Sequence, residues 1–330
     1  MLEHYWYRLS PLHLALWPLS LLFAAIAATR RLLYQRGLLS TTRIKVPVVI
    51  VGNINVGGTG KTPCVIWLAR WCIDHGLKPG IVTRGYGGSA RDPLCATAES
   101  DPSVVGDEAL LLARRCACPV WVGSSRVAAA QALLAADPAC NVIICDDGLQ
   151  HYALARDVEL AVIDGERGFG NGMLLPAGPL REPLWRLARV DGLIINGGAV
   201  FPLDLLPTGV PAFEMRVEGG TFYNIRDPKQ EAGPGQFAGQ TVHAVAAIGN
   251  PQRFFNHLRE LGVLFNAHAF PDHHAYAASD CAFGANAAVI MTEKDAVKCA
   301  RLADDNWWAL RVDAMIDPAF GHFVLRKIGK

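Results

Sequence analysis

Residues 46–63 have the sequence VPVVIVGNINVGGTGKTP, an apolar run that leads into a glycine-rich loop and a Gly-Lys-Thr step. The consecutive β-branched residues at 48–51 are typical of a strand that is buried on both faces. Glycines let successive backbone N–H groups point at phosphate oxygens, and the N-terminus of a following helix adds partial positive charge. The stretch therefore predicts a strand, a phosphate-binding loop and a helix that begins near Lys61.

The residues of this loop are expected to contact a nucleotide and its metal ion. Lys61 is expected to reach the β- and γ-phosphates of ATP, and the Thr62 hydroxyl is expected to bind Mg²⁺. Asn55 stands where the usual pattern has its first glycine, so the loop is a variant of that pattern. Such a loop by itself does not separate kinases from switches and motors. The predicted ATP-binding residues are Asn55, Val56, Gly57, Gly58, Thr59, Gly60, Lys61 and Thr62.

Short apolar segments alternate with helical patterns along the chain. This alternation predicts an α/β protein of the P-loop NTPase type, with a mostly parallel sheet and helices on both of its faces. Predicted strands cover residues 46–52, 80–84, 119–123, 141–146, 158–164, 192–196, 242–248 and 288–291. Predicted helices lie near residues 61–75, 107–116, 125–136, 182–189, 251–261 and 317–327.

The N-terminal part of the chain is free of charged residues over 21 positions, from 9 to 29. A helix of that length can cross a hydrocarbon core of about 30 Å, or it can lie flat in the membrane interface. The alternatives are a helix buried in the protein and a cleaved signal peptide, with Arg8 as its cation and an A-x-A pattern at Ala25, Ile26 and Ala27. The cations that follow, with no acid among them, are Arg30, Arg31, Arg36, Arg43 and Lys45. They favour anionic lipid headgroups and a cytoplasmic location for the rest of the chain.

The composition excludes several classes of protein. The 330 residues are 51% hydrophobic and 18% charged, with 31 Lys and Arg against 30 Asp and Glu. The apolar content excludes a disordered chain, and the balanced charge argues against a nucleic-acid-binding protein. The mean hydropathy of +0.21 is high for a soluble enzyme, and the N-terminal segment accounts for part of it. The nine cysteines lack the paired C-x-x-C spacing of a zinc site, which fits a reducing compartment.

The composition and the patterns divide the chain into four segments. Residues 1–40 are predicted to form an apolar, membrane-associated helix with a basic flank, and residues 41–200 a P-loop nucleotide-binding core. Residues 201–240 are predicted to be an irregular linker with a hairpin, since short alternating segments occur at 213–217 and 222–225. Residues 241–330 resume the strand and helix pattern and are predicted to form a smaller C-terminal α/β lobe.

Two acidic pairs are candidates for metal binding and catalysis. Asp146 and Asp147 end the predicted strand at 141–146, and strand carboxyl ends line the ligand crevice of open α/β sheets. Either carboxylate is expected to hold Mg²⁺, directly or through water, and a solvated Asp-Asp-Gly turn is the alternative. Asp107 and Glu108 open a predicted helix, a position where capping and the helix dipole also favour acidic residues.

Seven segments with distinctive sequences occur in order along nearly the whole chain. They lie at 52–63, 83–87, 106–108, 146–151, 175–182, 272–273 and 292–295. Together they resemble the tetraacyldisaccharide 4′-kinase family, the lipid A 4′-kinases of Gram-negative bacteria. The resemblance implies transfer of the γ-phosphoryl group of ATP to the 4′-hydroxyl of a tetraacylated glucosamine disaccharide 1-phosphate. This reaction of lipid A biosynthesis gives ADP and the 1,4′-bisphosphate lipid at the cytoplasmic face of the inner membrane.

The resemblance also implies roles for individual residues. Asp107 is the expected catalytic base, in a dyad with His273, and Lys61 is the expected phosphate-binding lysine. Because His274 adjoins His273, the sequence leaves open which of the two histidines completes the dyad. The expected Mg²⁺ ligands are Thr62, Glu108 and Asp146. The expected substrate or transition-state contacts are Arg84, Tyr86, Arg126, Asp147, Gln150 and Arg181.

The expected cofactors are ATP and Mg²⁺, and the expected partners are a lipid A disaccharide precursor and the cytoplasmic membrane surface. No nucleic acid and no obligate protein partner are expected. The alternative is a membrane-bound P-loop switch or motor ATPase of the partitioning type, which uses a similar Gly-Gly-x-Gly-Lys-Thr loop. Such ATPases typically carry an additional lysine near the start of the loop, and residues 53–56 include no lysine.

Overall fold

The computed structural model describes residues 3–7, 11–284 and 287–330, so Arg8 lies outside the described residues. In these ranges the chain forms one sheet with helices on both faces. The strands are β1 (Val48–Gly52), β2 (Pro79–Thr83), β3 (Leu94–Ala96), β4 (Val120–Val122), β5 (Val142–Asp146), β6 (Val158–Asp164), β7 (Gly192–Asn196), β8 (Ala212–Asn224), β9 (Glu231–Ala232), β10 (Thr241–Ala246), β11 (Leu264–Ala269), β12 (Val289–Thr292) and β13 (Trp307–Ile316). The α-helices are α1 (Glu3–Trp6), α2 (Pro11–Gln35), α3 (Lys61–Asp74), α4 (Pro102–Val105), α5 (Asp107–Arg115), α6 (Arg126–Ala136), α7 (Pro251–Glu260), α8 (Glu293–Cys299) and α9 (Pro318–Lys327).

The strands follow the order β11-β10-β12-β13-β8-β7-β6-β1-β5-β2-β4-β3, and β9 pairs with β8 outside this path. Most neighbours are parallel, and the antiparallel pairs are β13 with β8, β8 with β9, and β3 with β4. The predicted fold class is therefore confirmed. The predicted strands and helices occur close to their expected positions, except that the segment at 182–189 forms a 3₁₀ helix, Leu184–Arg189.

The centre of the sheet positions the phosphate-binding loop. All five residues of β1 and all five of β5 are buried, as expected for strands that are covered on both faces. The two strands are parallel, and Val51 lies opposite Asp146. The loop that follows β1 therefore leaves the sheet at the edge where β5 ends in its acidic pair.

The two segments predicted to alternate in a hairpin within residues 201–240 do not pair with each other, and the antiparallel pair in this region joins the end of β8 to β9. Residues 213–217 and 222–224 lie on a single strand, β8, which pairs with β7 at its start and with β13 over most of its length. Gly219 stands in this strand because the backbone of β13 approaches closely there, so that a Cβ atom would overlap the Arg311 carbonyl oxygen. The division of the chain into four segments stays a prediction.

The N-terminal helix α2 is attached to the rest of the protein by a small number of contacts. The Ser20 hydroxyl donates a hydrogen bond to the Leu174 carbonyl at 2.9 Å and accepts one from the Ala177 backbone at 3.0 Å. In contrast, only 11% of the apolar window of α2 is buried, and the helix is long and apolar enough to cross a membrane. This exposure contradicts the alternative of a helix that is buried in the protein.

The close approach of β8 and β13 predicts different effects of alanine at two adjacent glycines. We expect Gly219→Ala to lower the free energy of unfolding by about 1–3 kcal/mol, because the strands must shift to accommodate the methyl group. Gly220→Ala is the control, since a Cβ atom there would meet its nearest neighbour, Leu261 Cδ2, at 3.7 Å. Urea unfolding of both variants in detergent measures the difference, and equal stability of the two would contradict this account of the strand pairing.

Candidate active site

The loop between β1 and α3 is held in shape by three asparagines. Asn53 donates a hydrogen bond to the Thr59 hydroxyl at 3.2 Å, and Asn196 donates one to the Thr59 carbonyl at 3.0 Å. Asn55, where the usual pattern has glycine, donates to the Gly168 carbonyl at 2.8 Å. The side chain of Asn55 thus ties the loop to the segment after β6, which explains the departure from the pattern.

A glycine is required at the last loop position before Lys61. Gly60 has a φ of 94°, a left-handed conformation that residues with a Cβ atom rarely adopt. A Cβ atom there would also overlap the side-chain amide of Asn196. The loop can therefore approach Asn196 closely, and helix α3 begins immediately afterwards at Lys61.

Asp146 is a fully buried carboxylate at the end of β5. One oxygen, Oδ2, accepts a hydrogen bond from the Thr83 hydroxyl at 3.3 Å, whereas Oδ1 has no partner among the described residues. Burial and the negative charge of Glu108 raise the pKa of Asp146 to about 7, against the opposing charge of Lys61. An unpartnered buried oxygen of this kind fits a site for a hard cation such as Mg²⁺, which prefers oxygen ligands.

Asp147 connects the phosphate-binding lysine to an arginine. Its Oδ1 lies 3.6 Å from Lys61 Nζ, and its two oxygens accept hydrogen bonds of 2.9 and 3.1 Å from Arg181. Arg181 also bonds the side chain of Asn53. Burial acts to raise the pKa of Asp147, but the charges of Lys61 and Arg181 outweigh it and lower that pKa below its usual range. Asp147 is therefore ionised, and it positions Lys61 beside the loop.

Asp107, the predicted catalytic base, contacts a histidine. His273 Nδ1 donates a hydrogen bond to Asp107 Oδ2 at 3.1 Å, and Asp107 is buried at the start of α5. His274 instead bonds Asp280 at 3.0 Å, so the structure brings His273 to Asp107. Burial acts to raise the pKa of Asp107, but the hydrogen bond from His273 and the charge of Lys294 lower it overall.

The pKa of His273 moves in the opposite direction. Burial acts to lower it, but the hydrogen bond to Asp107 and the negative charges of Asp107 and Asp272 together outweigh burial, and the pKa of His273 is raised. The ring of Tyr86 lies 4.6 Å from the ring of His273, with 56% of Tyr86 exposed. Tyr86 thus borders the pair on the solvent side.

The remaining residues predicted to contact the substrate or the transition state are Gln150, Arg126 and Arg84, and they differ in their burial and hydrogen bonds. Gln150 donates hydrogen bonds to the Asn53 carbonyl at 3.2 Å and to Glu182 at 2.9 Å, so its amide supports the loop. Arg126 is buried and donates to the Asp147 carbonyl at 3.4 Å. Arg84 is exposed at the end of β2.

A cleft of about 1150 Å³ lies beside the phosphate-binding loop. Its lining includes Lys61, Thr62 and Glu108 from the first half of the sheet and Arg253, Phe254 and Lys294 from the second half. The phosphate-binding loop and the predicted metal ligand Glu108 therefore line the same cleft. Its volume is somewhat above the roughly 300–1,000 Å³ of typical small-molecule sites.

Two residues with contacts in the site had no role in the predictions from sequence. Arg167 donates a hydrogen bond to the Gly249 carbonyl at 2.7 Å, bonds the Gly58 carbonyl, and pairs with Asp164 at 2.9 Å. Lys294 belongs to one of the seven distinctive segments, and it contacts Glu108 at 3.1 Å. The position of Asp164 at the end of β6, next to β1, is the signal in the sequence that could have indicated Arg167.

The phosphate-binding loop, the acidic end of β5 and the buried aspartate–histidine pair define a P-loop protein equipped for phosphoryl transfer. Residues 12–329 match the family described as tetraacyldisaccharide-1-P 4′-kinase, LpxK. The chain therefore belongs to this family.

Individual relatives agree with this assignment. The tetraacyldisaccharide 4′-kinase of Methylobacillus flagellatus is 48% identical over 327 residues, which cover 99% of this chain and 95% of the relative. The tetraacyldisaccharide 4′-kinase of Dechloromonas aromatica is 49% identical over 331 residues, which cover 99% of this chain and 97% of the relative. A crystal structure described as the "apo" form of LpxK from Aquifex aeolicus in complex with ATP has a TM-score of 0.80 at 28% identity, covering 96% of this chain and 99% of that one.

The contact of Asn55 with Gly168 predicts the effect of restoring the usual glycine. We expect Asn55→Gly to lower the free energy of unfolding by about 1–2 kcal/mol, because the buried Gly168 carbonyl loses its donor. Asn55→Ala removes the same amide without the backbone freedom of glycine and is expected to weaken the protein in the same direction. Thermal unfolding measures the stability of both variants, and calorimetric titration measures their affinity for ATP. Tighter ATP binding by Asn55→Gly would contradict the assigned role of Asn55 in shaping the loop.

Proposed function

We propose that this protein transfers the γ-phosphoryl group of ATP to the 4′-hydroxyl of a tetraacylated glucosamine disaccharide 1-phosphate. The products are ADP and the 1,4′-bisphosphate lipid of lipid A biosynthesis. The observation that carries the proposal is the 3.1 Å contact between Asp107 and His273, next to Glu108 on the cleft that the phosphate-binding loop lines. Membership of the tetraacyldisaccharide-1-P 4′-kinase family does not favour the alternative of a partitioning-type ATPase.

Asp107 is the proposed base for the acceptor hydroxyl. A sugar hydroxyl has a high pKa, so a carboxylate must take its proton as the oxygen attacks the phosphorus. The lowered pKa of Asp107 keeps this carboxylate ionised and available. His273 Nδ1 donates to Oδ2, which orients the carboxylate and stabilises its charge.

Lys61 and the metal ligands act on the phosphates. Lys61 is held beside the loop by Asp147, in reach of the β- and γ-phosphates of a nucleotide bound there. Thr62, Glu108 and Asp146 would hold Mg²⁺, and the unpartnered Oδ1 of Asp146 fits this role. When bound, the metal neutralises charge on the phosphoryl oxygens. Arg181 shares Asp147 with Lys61 and adds positive charge on the same side of the loop.

The N-terminal helix is compatible with membrane association, and we propose that it holds the protein at the cytoplasmic face of the inner membrane. Large apolar side chains are exposed along α2, including Leu14 at 76% and Ile26 at 61%. Near its C-terminal end, the Arg31 guanidinium lies 4.1 Å from the ring of Trp185, an arrangement suited to the headgroup region. A substrate with four acyl chains stays in the bilayer, so the enzyme must reach it there. No nucleic acid or obligate protein partner enters the proposal.

The proposed reaction is tested with γ-labelled ATP, Mg²⁺ and the tetraacyl disaccharide 1-phosphate in detergent. We expect label in the lipid, and label found only in free phosphate would contradict the proposal. His273→Ala is expected to lower kcat about 10²–10⁴-fold, because Asp107 loses its orienting donor. His274→Ala is the matched control, since His274 bonds Asp280 instead. An equal loss in both variants would contradict the assignment of His273.

The exposure of α2 predicts how the protein binds membranes. We expect Leu22→Asp to weaken binding to vesicles that contain phosphatidylglycerol about 100-fold, because an aspartate in an apolar helix costs about 3 kcal/mol in hydrocarbon. Leu264→Asp is the control, since Leu264 lies in β11 and is 61% exposed, against 58% for Leu22. Co-sedimentation measures both, and unchanged binding of Leu22→Asp would contradict a membrane contact of α2.

A further inference from the structure

The Thr-Glu-Lys-Asp segment at 292–295 has no assigned role in the proposed reaction, yet each of its four side chains makes a polar contact. Asp295 accepts hydrogen bonds from the Thr292 hydroxyl at 2.7 Å and from the Ala247 backbone at 3.0 Å. Glu293 pairs with Arg115 of α5 and accepts from the Val312 backbone at 3.2 Å. These contacts anchor the start of α8 to the residue that follows β10, to β13 and to α5, so that the backbone of Lys294, between Glu293 and Asp295, is held in place.

The ammonium group of Lys294 lies at the meeting point of three groups in the site. It donates hydrogen bonds to Glu108 Oε1 at 3.1 Å, to Asp272 Oδ1 at 3.4 Å and to His273 Nε2 at 3.3 Å. An ammonium group has three donors and no acceptor, so all three are used. Because Nε2 of His273 accepts from Lys294, the proton of a neutral His273 lies on Nδ1, the atom that faces Asp107.

The backbone at His273 requires support of this kind. His273 has a φ of 59°, in the left-handed region that is unfavourable for residues other than glycine. Such a conformation persists only where surrounding contacts hold it. Lys294 contacts both residues of the turn, Asp272 and His273, and joins them to Glu108 at the start of α5.

We propose that Lys294 is a positioning residue, which holds the Asp272–His273 turn against the start of α5 so that His273 reaches Asp107. The proposal rests on the proposed function, because it assigns the role of Lys294 to the same reaction. Lys294 acts through His273, and Glu108 is its anchor on α5. Its removal therefore affects the chemical step more than the binding of ATP.

A double-mutant cycle tests this proposal, because it separates an action through His273 from general support of the fold. We expect Lys294→Met to lower kcat at least about 10-fold, with the KM for ATP changed less than about 3-fold, as for an interaction that matters in the transition state. In the His273→Ala background, the same substitution is expected to cost less than about 3-fold. An equal loss of kcat in both backgrounds would overturn the proposal, and so would a wild-type kcat for Lys294→Met.

Hydrogen exchange of the segment around His273 provides a readout that does not depend on activity. We expect faster exchange in Lys294→Met over residues 270–276, and unchanged exchange in Arg301→Met. Arg301 is a suitable control because its side chain is 85% exposed and it pairs with Asp101 on the surface. Unchanged exchange in Lys294→Met would overturn the proposal even if the transfer assay failed. Absence of lipid phosphorylation by the wild type, with faster exchange in Lys294→Met, would overturn the proposed function alone.

Discussion

The antiparallel pairing of β8 with β13 is the interaction on which the rest of the arrangement depends. β8 is parallel to β7 at its start, and it pairs with β13 from Met215 opposite Ile316 to Asn224 opposite Trp308. The two groups of parallel strands therefore share one sheet. The phosphate-binding loop and Asp107 come from the first group, whereas His273 and Lys294 follow β11 and β12 of the second. The proposed site needs residues from both groups, and this pairing fixes their distance.

Apolar packing crosses the same junction. One cluster of buried residues contains Val65 and Leu68 from α3, Ile316 from β13 and Phe320 from α9. A fully buried aromatic side chain such as Phe320 contributes about 1.5–3 kcal/mol by its removal from water. Helix α3, which begins at Lys61, is therefore packed against elements from the C-terminal end of the chain. The loop that precedes α3 thus has a rigid support on one side.

The electrostatics of the site follow from a concentration of carboxylates at one edge of the sheet. Asp147 is paired with Lys61 and Arg181, and Glu108 is paired with Lys294. Asp146 has one oxygen without a partner among the described residues, and its pKa is raised. A buried carboxylate needs a partner of opposite charge when it is ionised, so this position favours a further cation.

The local elements of the fold and the composition of the site were largely predictable from the sequence. The β-branched run at 48–51 and the Gly-Lys-Thr step indicated β1, the loop and α3 because strand burial and phosphate binding depend on adjacent residues. β13 and β11 were not predicted. β13 was missed because the charged residues Arg311 and Asp313 interrupt its apolar run, and the alternating pattern within β8 suggested a hairpin. A strand pairing between distant segments leaves no local pattern.

The sequence by itself determined the phosphate-binding loop, the acidic pairs, the apolar helix and the resemblance to a kinase family. Only the tertiary structure decided that His273 contacts Asp107 while His274 contacts Asp280. It also decided that Lys294 joins Glu108 to His273. Adjacent residues of a chain have the same local sequence context, whereas their side chains point in different directions once the backbone takes a left-handed turn at His273. Which side chain enters the site is therefore a property of the folded backbone.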